Sequence, residues 1–463
     1  MNQESDDAGA GQASRPTLAA PPRFRGPLPF FRYVRAVREN TIATLPAEAF
    51  EEDILERRML GRRLFSIQQP DALKHVLLDN ADNYEKGPLL RQLLEPGLGK
   101  GLLTSEGAQW RRQRRLMAPV FQPKSLLRFA PLMSAAVASL VERWRALPPG
   151  SAFDVNGEMM RLALVIIARI MFSADYQERA GEVEHSVSQY QRLIRPRLMD
   201  LVGLPDWVPR FNRWRARRAL AVLDRLIGPL LNRGRSNGDA GDLLSLLVDA
   251  RDEETGEGLG RQEIRDQVVT IFLAGHETTA QALSWTWYLL ALHPAEETRF
   301  HGELDRVLGG RPPGFDDLPD LPFTRMVLEE SMRLYPPAPT FSRSALAADR
   351  LLDRDIPKGS VVFVVPWALH RHRKLWEDPD DFVPDRFGRE RAAQRHRFAY
   401  LPFGAGPRIC IGAGFAMTEA MLVLAAIGQR FRLRLVPGHP IEPVGLITLR
   451  PRHGIAVTLE RRG

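Results

Sequence analysis

Phe403-Gly-Ala-Gly-Pro-Arg-Ile-Cys-Ile-Gly412 decides how this 463-residue chain is read. It holds the single cysteine, Cys410, so no intramolecular disulfide, paired redox thiols or multi-cysteine zinc site is available. Ala413 to Phe431 follows as an apolar run of helical character, placing the thiol just before a helix N-terminus. Partial positive charge and free backbone N–H groups there favour the thiolate. Gly404, Gly406, Gly412 and Gly414 permit tight turns and a close approach of backbone to a large planar group. A lone cysteine is ordinarily an inert small hydrophobe. Glycines on both sides and Arg408 two residues earlier point instead to a thiolate ligand for a planar metal cofactor. A cysteine nucleophile would need a histidine base, with His276, His370 and His372 available but nothing in their surroundings to recommend them.

Outward from this loop, composition describes an ordinary globular chain, 44% apolar and 26% charged, with ample volume for a deep core. The net charge of +8 comes from 64 Lys+Arg against 56 Asp+Glu, only six of the cations being lysine. Arginines alternate with acids along the whole length rather than clustering between aromatics, which argues against nucleic acid as a partner. Met1 to Pro22 is acidic and small-residue-rich, without the basic and apolar regions of a signal peptide. The apolar run Leu162–Ala168 is stopped by Arg169, far short of a membrane span. The expectation is a disordered tail over residues 1–26 and one cytoplasmic domain over 27–463, without a transmembrane anchor.

Helical patterns dominate. Strand patterns are short: Arg63–Ile67 and, late in the chain, Val361–Val365, Phe431–Leu435 and Ile455–Leu459. Val268–Leu292 reads as one long apolar helix whose centre, Ala274-Gly-His-Glu-Thr-Thr279, is small and polar. Burying Glu277 unpaired costs several kcal/mol, and Gly275 in mid-helix costs about 1 kcal/mol against alanine. Gly275 could serve a close helix crossing with Glu277 reaching solvent; alternatively the segment is a groove for a flat ligand or gas, with Thr278 and Glu277 supplying hydrogen bonds and protons.

Phe403-x-x-Gly406-x-Arg408-x-Cys410-x-Gly412 resembles the haem-binding loop of the cytochromes P450 at every defining position. Ala274-Gly-His-Glu-Thr278 is similar to that family's oxygen-binding helix motif. Glu330-Ser-Met-Arg333 resembles its ExxR pair, Phe382-Val-Pro-Asp-Arg-Phe387 its companion segment, and Trp110-Arg-Arg-Gln-Arg114 its WxxxR helix. The resemblance implies a mainly α fold with a small β subdomain and a bound haem b whose iron takes Cys410 as axial ligand. It implies that Phe403, Ala274 and Gly275 border the haem. Trp110, Arg114, Arg408 and, more distantly, Arg343 hold its propionates. Glu330, Arg333 and Arg386 form a buried structural network.

The same resemblance implies a monooxygenase that activates O₂ with two electrons, takes protons through Thr278 and Glu277, and hydroxylates or epoxidises a hydrophobic small molecule such as a fatty acid, terpenoid, steroid or polyketide. A haem protein that only senses or carries a ligand would not need the acid and the threonine. Phe272, Leu273, Pro337–Phe341 and Leu446–Thr448 are expected to line the pocket, with Arg192–Arg218 over its mouth. The chain ends soon after its last strand pattern, so electrons are expected from a separate ferredoxin and ferredoxin reductase, or a flavodoxin, and the enzyme is expected to be a monomer. Arg111, Arg112, Arg115, Lys124, Arg395 and Arg397 are expected to border a basic docking face for that donor.

Overall fold

A computed structural model describes residues 16–462 except 60, 253 and most of 173–241, where only 189, 190, 218, 221, 224, 225 and 228 are described. The expected mouth segment Arg192–Arg218 and the polar stretch Arg233–Gly241 therefore lie largely outside the described residues. Short helices lead in: α1 (Phe30–Glu39), α2 (Pro70–Lys74), α3 (Pro88–Leu98) and α4 (Gly107–Met117). The body is built from α5 (Pro123–Arg145), α6 (Val155–Phe172), α7 (Arg261–Leu292), α8 (Pro322–Leu334) and α9 (Ala413–Gly428). In α5, Leu126, Phe129, Met133, Val137, Leu140 and Trp144 recur at helical spacing and are buried. That face packs on α6 and α9, so a helix long and apolar enough to cross a membrane serves as a core helix.

The long helix α7 starts at Arg261 rather than Val268 and runs 32 residues, about 48 Å at 1.5 Å per residue. Its added turns are polar, and Glu263 caps them by accepting from the Gly260 amide at 3.0 Å. Helix α9 stops at Gly428 rather than Phe431. There the backbone lies so close to Phe300 that a Cβ would come within 2.5 Å of its ring, and Phe431 opens a strand.

The largest sheet has the order β1 (Ile54–Met59), β2 (Arg62–Ile67), β8 (Val361–Val364), β5 (Phe341–Ala345), β3 (Tyr84–Lys86). Strand β2 runs parallel to β8, with Leu64 opposite Val361. The antiparallel β3–β5 register sets Lys86 directly across from Arg343. A second sheet joins β4 (Phe153–Asp154), β12 (Ala456–Arg461) and β9 (Phe431–Leu435). Two hairpins, β6 (Asp349–Leu351) with β7 (Arg354–Ile356) and β10 (Pro443–Gly445) with β11 (Leu449–Pro451), complete the β structure. The expected mainly α architecture with a small β part is what forms.

The tail boundary needs correcting. The Ala19 amide donates to the Tyr288 hydroxyl at 3.1 Å, and the Tyr335 hydroxyl donates to the Ala19 carbonyl at 2.9 Å. Arg23 pairs with Asp380 at 2.6 Å and stacks over Phe50. Ordered contact thus begins before residue 20, because two buried tyrosine hydroxyls need partners.

Candidate functional site

The Cys410 amide donates to the Phe403 carbonyl at 2.9 Å and closes the loop. Gly406 has φ +69°, and a Cβ there would lie 1.7 Å from the Leu77 carbonyl oxygen, so only glycine fits where the loop presses on the turn after α2. The Cys410 side chain is exposed although its loop is enclosed. Burial pushes the thiol up, against the opposing pull of the Gly412 amide and Arg114. A positive ligand partner at sulfur would have to hold the charge.

Helix α4 delivers its two motif residues onto the loop. Arg114 Nη1 donates to the Ile409 carbonyl at 2.6 Å, and the Arg408 guanidinium lies 4.1 Å over the Trp110 ring. Arg408 pairs with Glu106, while its Nη1 is buried with no hydrogen-bond partner. Arg343 is buried, and that burial, with Arg408 nearby, lowers it to about 10. Lys86, opposite it, is lowered to about 7, chiefly by burial and then by Arg408. Lys86 Nζ donates to the Leu102 carbonyl at 2.8 Å, and its amide donates to Glu106 at 3.0 Å.

Three cations, Lys86, Arg343 and Arg408, thus gather around Glu106 beside the cysteine loop, with Glu85 also acting on Arg408 and Arg114 bonded to the loop itself. Such an excess of buried positive charge, with one guanidinium N–H unpaired, fits a group carrying two carboxylates. Lys86 and Glu106 were not read from the sequence.

Above the loop, helix α7 presents its small centre. Ala274 is exposed in a helix whose neighbouring turns are buried. A Cβ at Gly275 would meet only Ile167, at 3.8 Å. The close helix crossing is therefore not what requires Gly275. Thr278 Oγ1 donates back to the Ala274 carbonyl at 2.7 Å and keeps lone pairs to accept a further hydrogen bond. Glu277 does not reach free into solvent: Thr448 Oγ1, from the turn between β10 and β11, donates to its Oε1 at 2.5 Å. That turn is fixed by the Asn40 side chain, which donates to the Pro443 carbonyl and accepts from the Gly445 amide. Phe272 is fully buried and stacked on Phe172, so it belongs to the core and not to an accessible pocket wall.

The profile of the family described as Cytochrome P450 matches residues 21–455. The chain is a cytochrome P450. It is 40% identical to a cyclooctatin synthase of Streptomyces melanosporofaciens over 87% of each chain. It is 35% identical to a pentalenene oxygenase of Streptomyces avermitilis, over 82% of this chain and 84% of the relative. The crystal structure of the cytochrome P450DA haem domain superimposes with a TM-score of 0.84 at 26% identity, over 96% of this chain and 98% of the other. The protein is thus a haem-thiolate monooxygenase acting on a hydrophobic small molecule.

In this P450 the expected buried network forms under the sheet. Arg333 and Glu330 are fully buried and doubly bonded, Nε to Oε2 at 2.6 Å and Nη2 to Oε1 at 2.8 Å. Arg333 also donates to the carbonyls of His370, Pro379 and Asp381. Glu330 accepts from the Val383 amide at 2.8 Å and has Arg386 Nε at 3.4 Å. The alternative of a cysteine nucleophile gains no support, since the groups acting on the Cys410 thiol are the Gly412 amide and Arg114 and not a histidine. His276 Nδ1 lies 2.8 Å from the Phe272 carbonyl, His370 accepts from the Leu401 amide, and His372 meets the Glu52 carbonyl.

The expected basic docking face of this P450 is largely neutralised. Arg111 pairs with Asp82, Arg112 with Glu263, and Arg115 with Asp252. Arg395 stacks over Trp376, Phe387 and Tyr400 and is lowered by burial. Lys124 and Arg397 remain exposed. The acids answering Arg112 and Arg115 stand more than a hundred positions away, so the pairing was invisible to a local reading.

Proposed function

We propose that this P450 uses haem b to hydroxylate a cyclic terpenoid. Cys410 would ligate the iron, and Arg343, Arg408, Arg114 and Trp110, with Lys86 behind them, would hold the propionates. The observation that carries the reading is the joint placement of an exposed Cys410 side chain and a cluster of cations, two of them buried, around one loop. The names of the Streptomyces relatives support the substrate class. When bound, the haem supplies the redox chemistry that activates O₂ with two electrons from a separate ferredoxin system in the cytoplasm.

The chain's own residues then orient and protonate. Gly275 and Ala274 leave room for a small molecule beside α7. Thr278, its hydroxyl hydrogen turned to the Ala274 carbonyl, would offer its oxygen as the acceptor at the head of a proton path. Glu277, held in place by Thr448, replenishes the proton. Cys410→Ser should remove the thiolate-type absorption of the reduced carbon monoxide complex, and retention of that spectrum would refute the ligand assignment. Thr278→Ala should keep haem and substrate binding but raise peroxide release per electron consumed; unchanged coupling would remove Thr278 from the proton path. Titrating the ferric enzyme with cyclic terpene hydrocarbons and with straight-chain fatty acids, and following water displacement spectrally, separates the substrate classes.

A further inference from the structure

We propose that Thr448 is the residue through which Glu277 regains its proton, which makes the turn between β10 and β11 the entry point of the proton path. The inference rests on the reading of Glu277 as the acid that serves Thr278, and it supplies the step before. Thr448 Oγ1 donates to Glu277 Oε1 at 2.5 Å, the short separation of a hydroxyl bonded to a carboxylate. With its hydrogen on Glu277, the same oxygen keeps lone pairs to accept from a water molecule. The transfer then balances. As Glu277 gives a proton toward Thr278, the Thr448 hydroxyl hydrogen crosses to Oε1 and a proton from solvent takes its place on Oγ1. Only O–H bonds are made and broken, and no electron moves.

Other hydroxyls in the molecule set this one apart. Thr278, Ser284 and Thr286 on α7 each turn back to the carbonyl four residues earlier, at 2.6–2.7 Å, and are satisfied locally. Thr324 also reaches a carboxylate, Glu303, at 2.7 Å, but Glu303 takes the Phe323 and Thr324 amides as well and so caps the start of α8. Glu277 stands in the middle of α7, where backbone amides are spent in the helical ladder, and the Thr448 hydroxyl comes to it from 171 positions away.

The turn is pinned on both flanks. Thr41 Oγ1 donates to the Gly445 carbonyl and the Gly445 amide donates to Asn40 Oδ1, both at 2.9 Å. A Cβ at Gly445 would come within 2.8 Å of Ile42. On the other flank the Leu449 amide donates to the Pro337 carbonyl at 2.9 Å, and Trp285 Nε1 donates to the Leu449 carbonyl at 3.2 Å. Trp285 follows Glu277 by two helical turns on α7, so one helix grips the adjoining residues Thr448 and Leu449. A hydroxyl fixed in this way meets its carboxylate without rearrangement at each turnover. Leu446 and Ile447, between the flanks, are only half-buried, which sets the turn at the edge of the packed interior, within reach of water.

The test compares Thr448→Val, Thr448→Ser and Glu277→Gln in the haem-loaded, full-length enzyme, driven by a ferredoxin and its reductase on the cyclic terpene hydrocarbon that displaces most water from the ferric form. Thr448→Val should slow product formation at least about tenfold and raise the solvent deuterium isotope effect on kcat, because proton supply becomes limiting, while affinity for the hydrocarbon stays as in wild type. Thr448→Ser, which keeps the hydroxyl, should recover the rate. Without turnover, the infrared carboxyl band that Glu277→Gln removes should shift in Thr448→Val and return to its place in Thr448→Ser; an unshifted band in the valine variant overturns the proposal. So does a valine variant with the wild-type rate and isotope effect when Glu277→Gln is slow. Slowing that comes with weaker hydrocarbon binding and an unchanged isotope effect makes Thr448 pocket lining and overturns it too. A Glu277→Gln enzyme as fast as wild type overturns instead the reading of Glu277 on which the proposal rests. The carbon monoxide spectrum reports the fold of each variant, and if the valine variant takes up no haem, Thr448→Ala carries the same expectations.

Discussion

Two groups of buried arginines lie on either side of the main sheet's connections, and they are solved in opposite ways. Around Glu330, Arg333 donates to two carboxylate oxygens and three backbone carbonyls, so charge and hydrogen bonds are answered within the chain. Around Glu106, Lys86, Arg343 and Arg408 gather on one paired acid, and the β3–β5 register puts two of them opposite each other, where like charges repel. In the first arrangement the charge of Glu330 is answered by two guanidinium groups within the chain, although Arg386 Nε makes no hydrogen bond. The second is complete only with an anion, and that difference separates a structural network from a binding site more clearly than arginine content does.

Breaking the balanced side should have the largest effect. Glu330→Ala leaves Arg333 buried without its counter-charge, a loss of about 3–5 kcal/mol, and should give little folded, haem-loaded protein. Soluble variant with normal haem content and melting would place the pair outside the structural core. Arg343→Met should act in the opposite sense on the two forms. The haem-free protein should melt higher because an uncompensated charge is gone, while haem retention falls by about 1.5–3 kcal/mol. Transfer of haem to a scavenger protein and calorimetry of the haem-free form measure the two effects, and a change of the same sign in both would contradict the comparison.

The smallest effect sharpens it through pH. Lys86 is held at about 7 against an ordinary 10.5, so between those values the unfolded chain keeps a proton that the folded chain has released. Stability of the haem-free protein should therefore rise with pH across that window. Lys86→Met should flatten the slope. Added haem should flatten it as well, because its carboxylates return the lysine towards its ordinary value. A slope unaffected by either would show that Lys86 is not the titrating group.

Much of this was legible without coordinates. The cysteine loop, the Trp110–Arg114 spacing and the Glu330–Arg333 pair each lie within one short segment, where helical periodicity fixes which side chains share a face. Lys86 escaped notice because its depressed basicity arises from burial and from Arg343 and Arg408, hundreds of positions away. Thr448 was read as pocket lining, since a hydroxyl in a turn does not announce that it holds a carboxylate on a distant helix. The docking arginines were misread for the same reason. Their acids, Glu263 at the start of α7 and Asp252 in the turn before it, approach only once that region has folded against α4.

The clamp on Ala19 has a consequence for how the molecule is made. Its carbonyl is gripped by Tyr335, 316 positions later, and strand β2 finds its parallel neighbour β8 at a comparable remove. A ribosome emits the first strap and strand β2 long before Tyr335 and β8 exist to meet them. Loop closure over such distances is entropically unfavourable and slow, so these two pairings wait until most of the helical body has emerged. The sheet that brings Lys86 and Arg343 together is accordingly among the last parts to assemble, and cofactor capture is a late event in the protein's biogenesis.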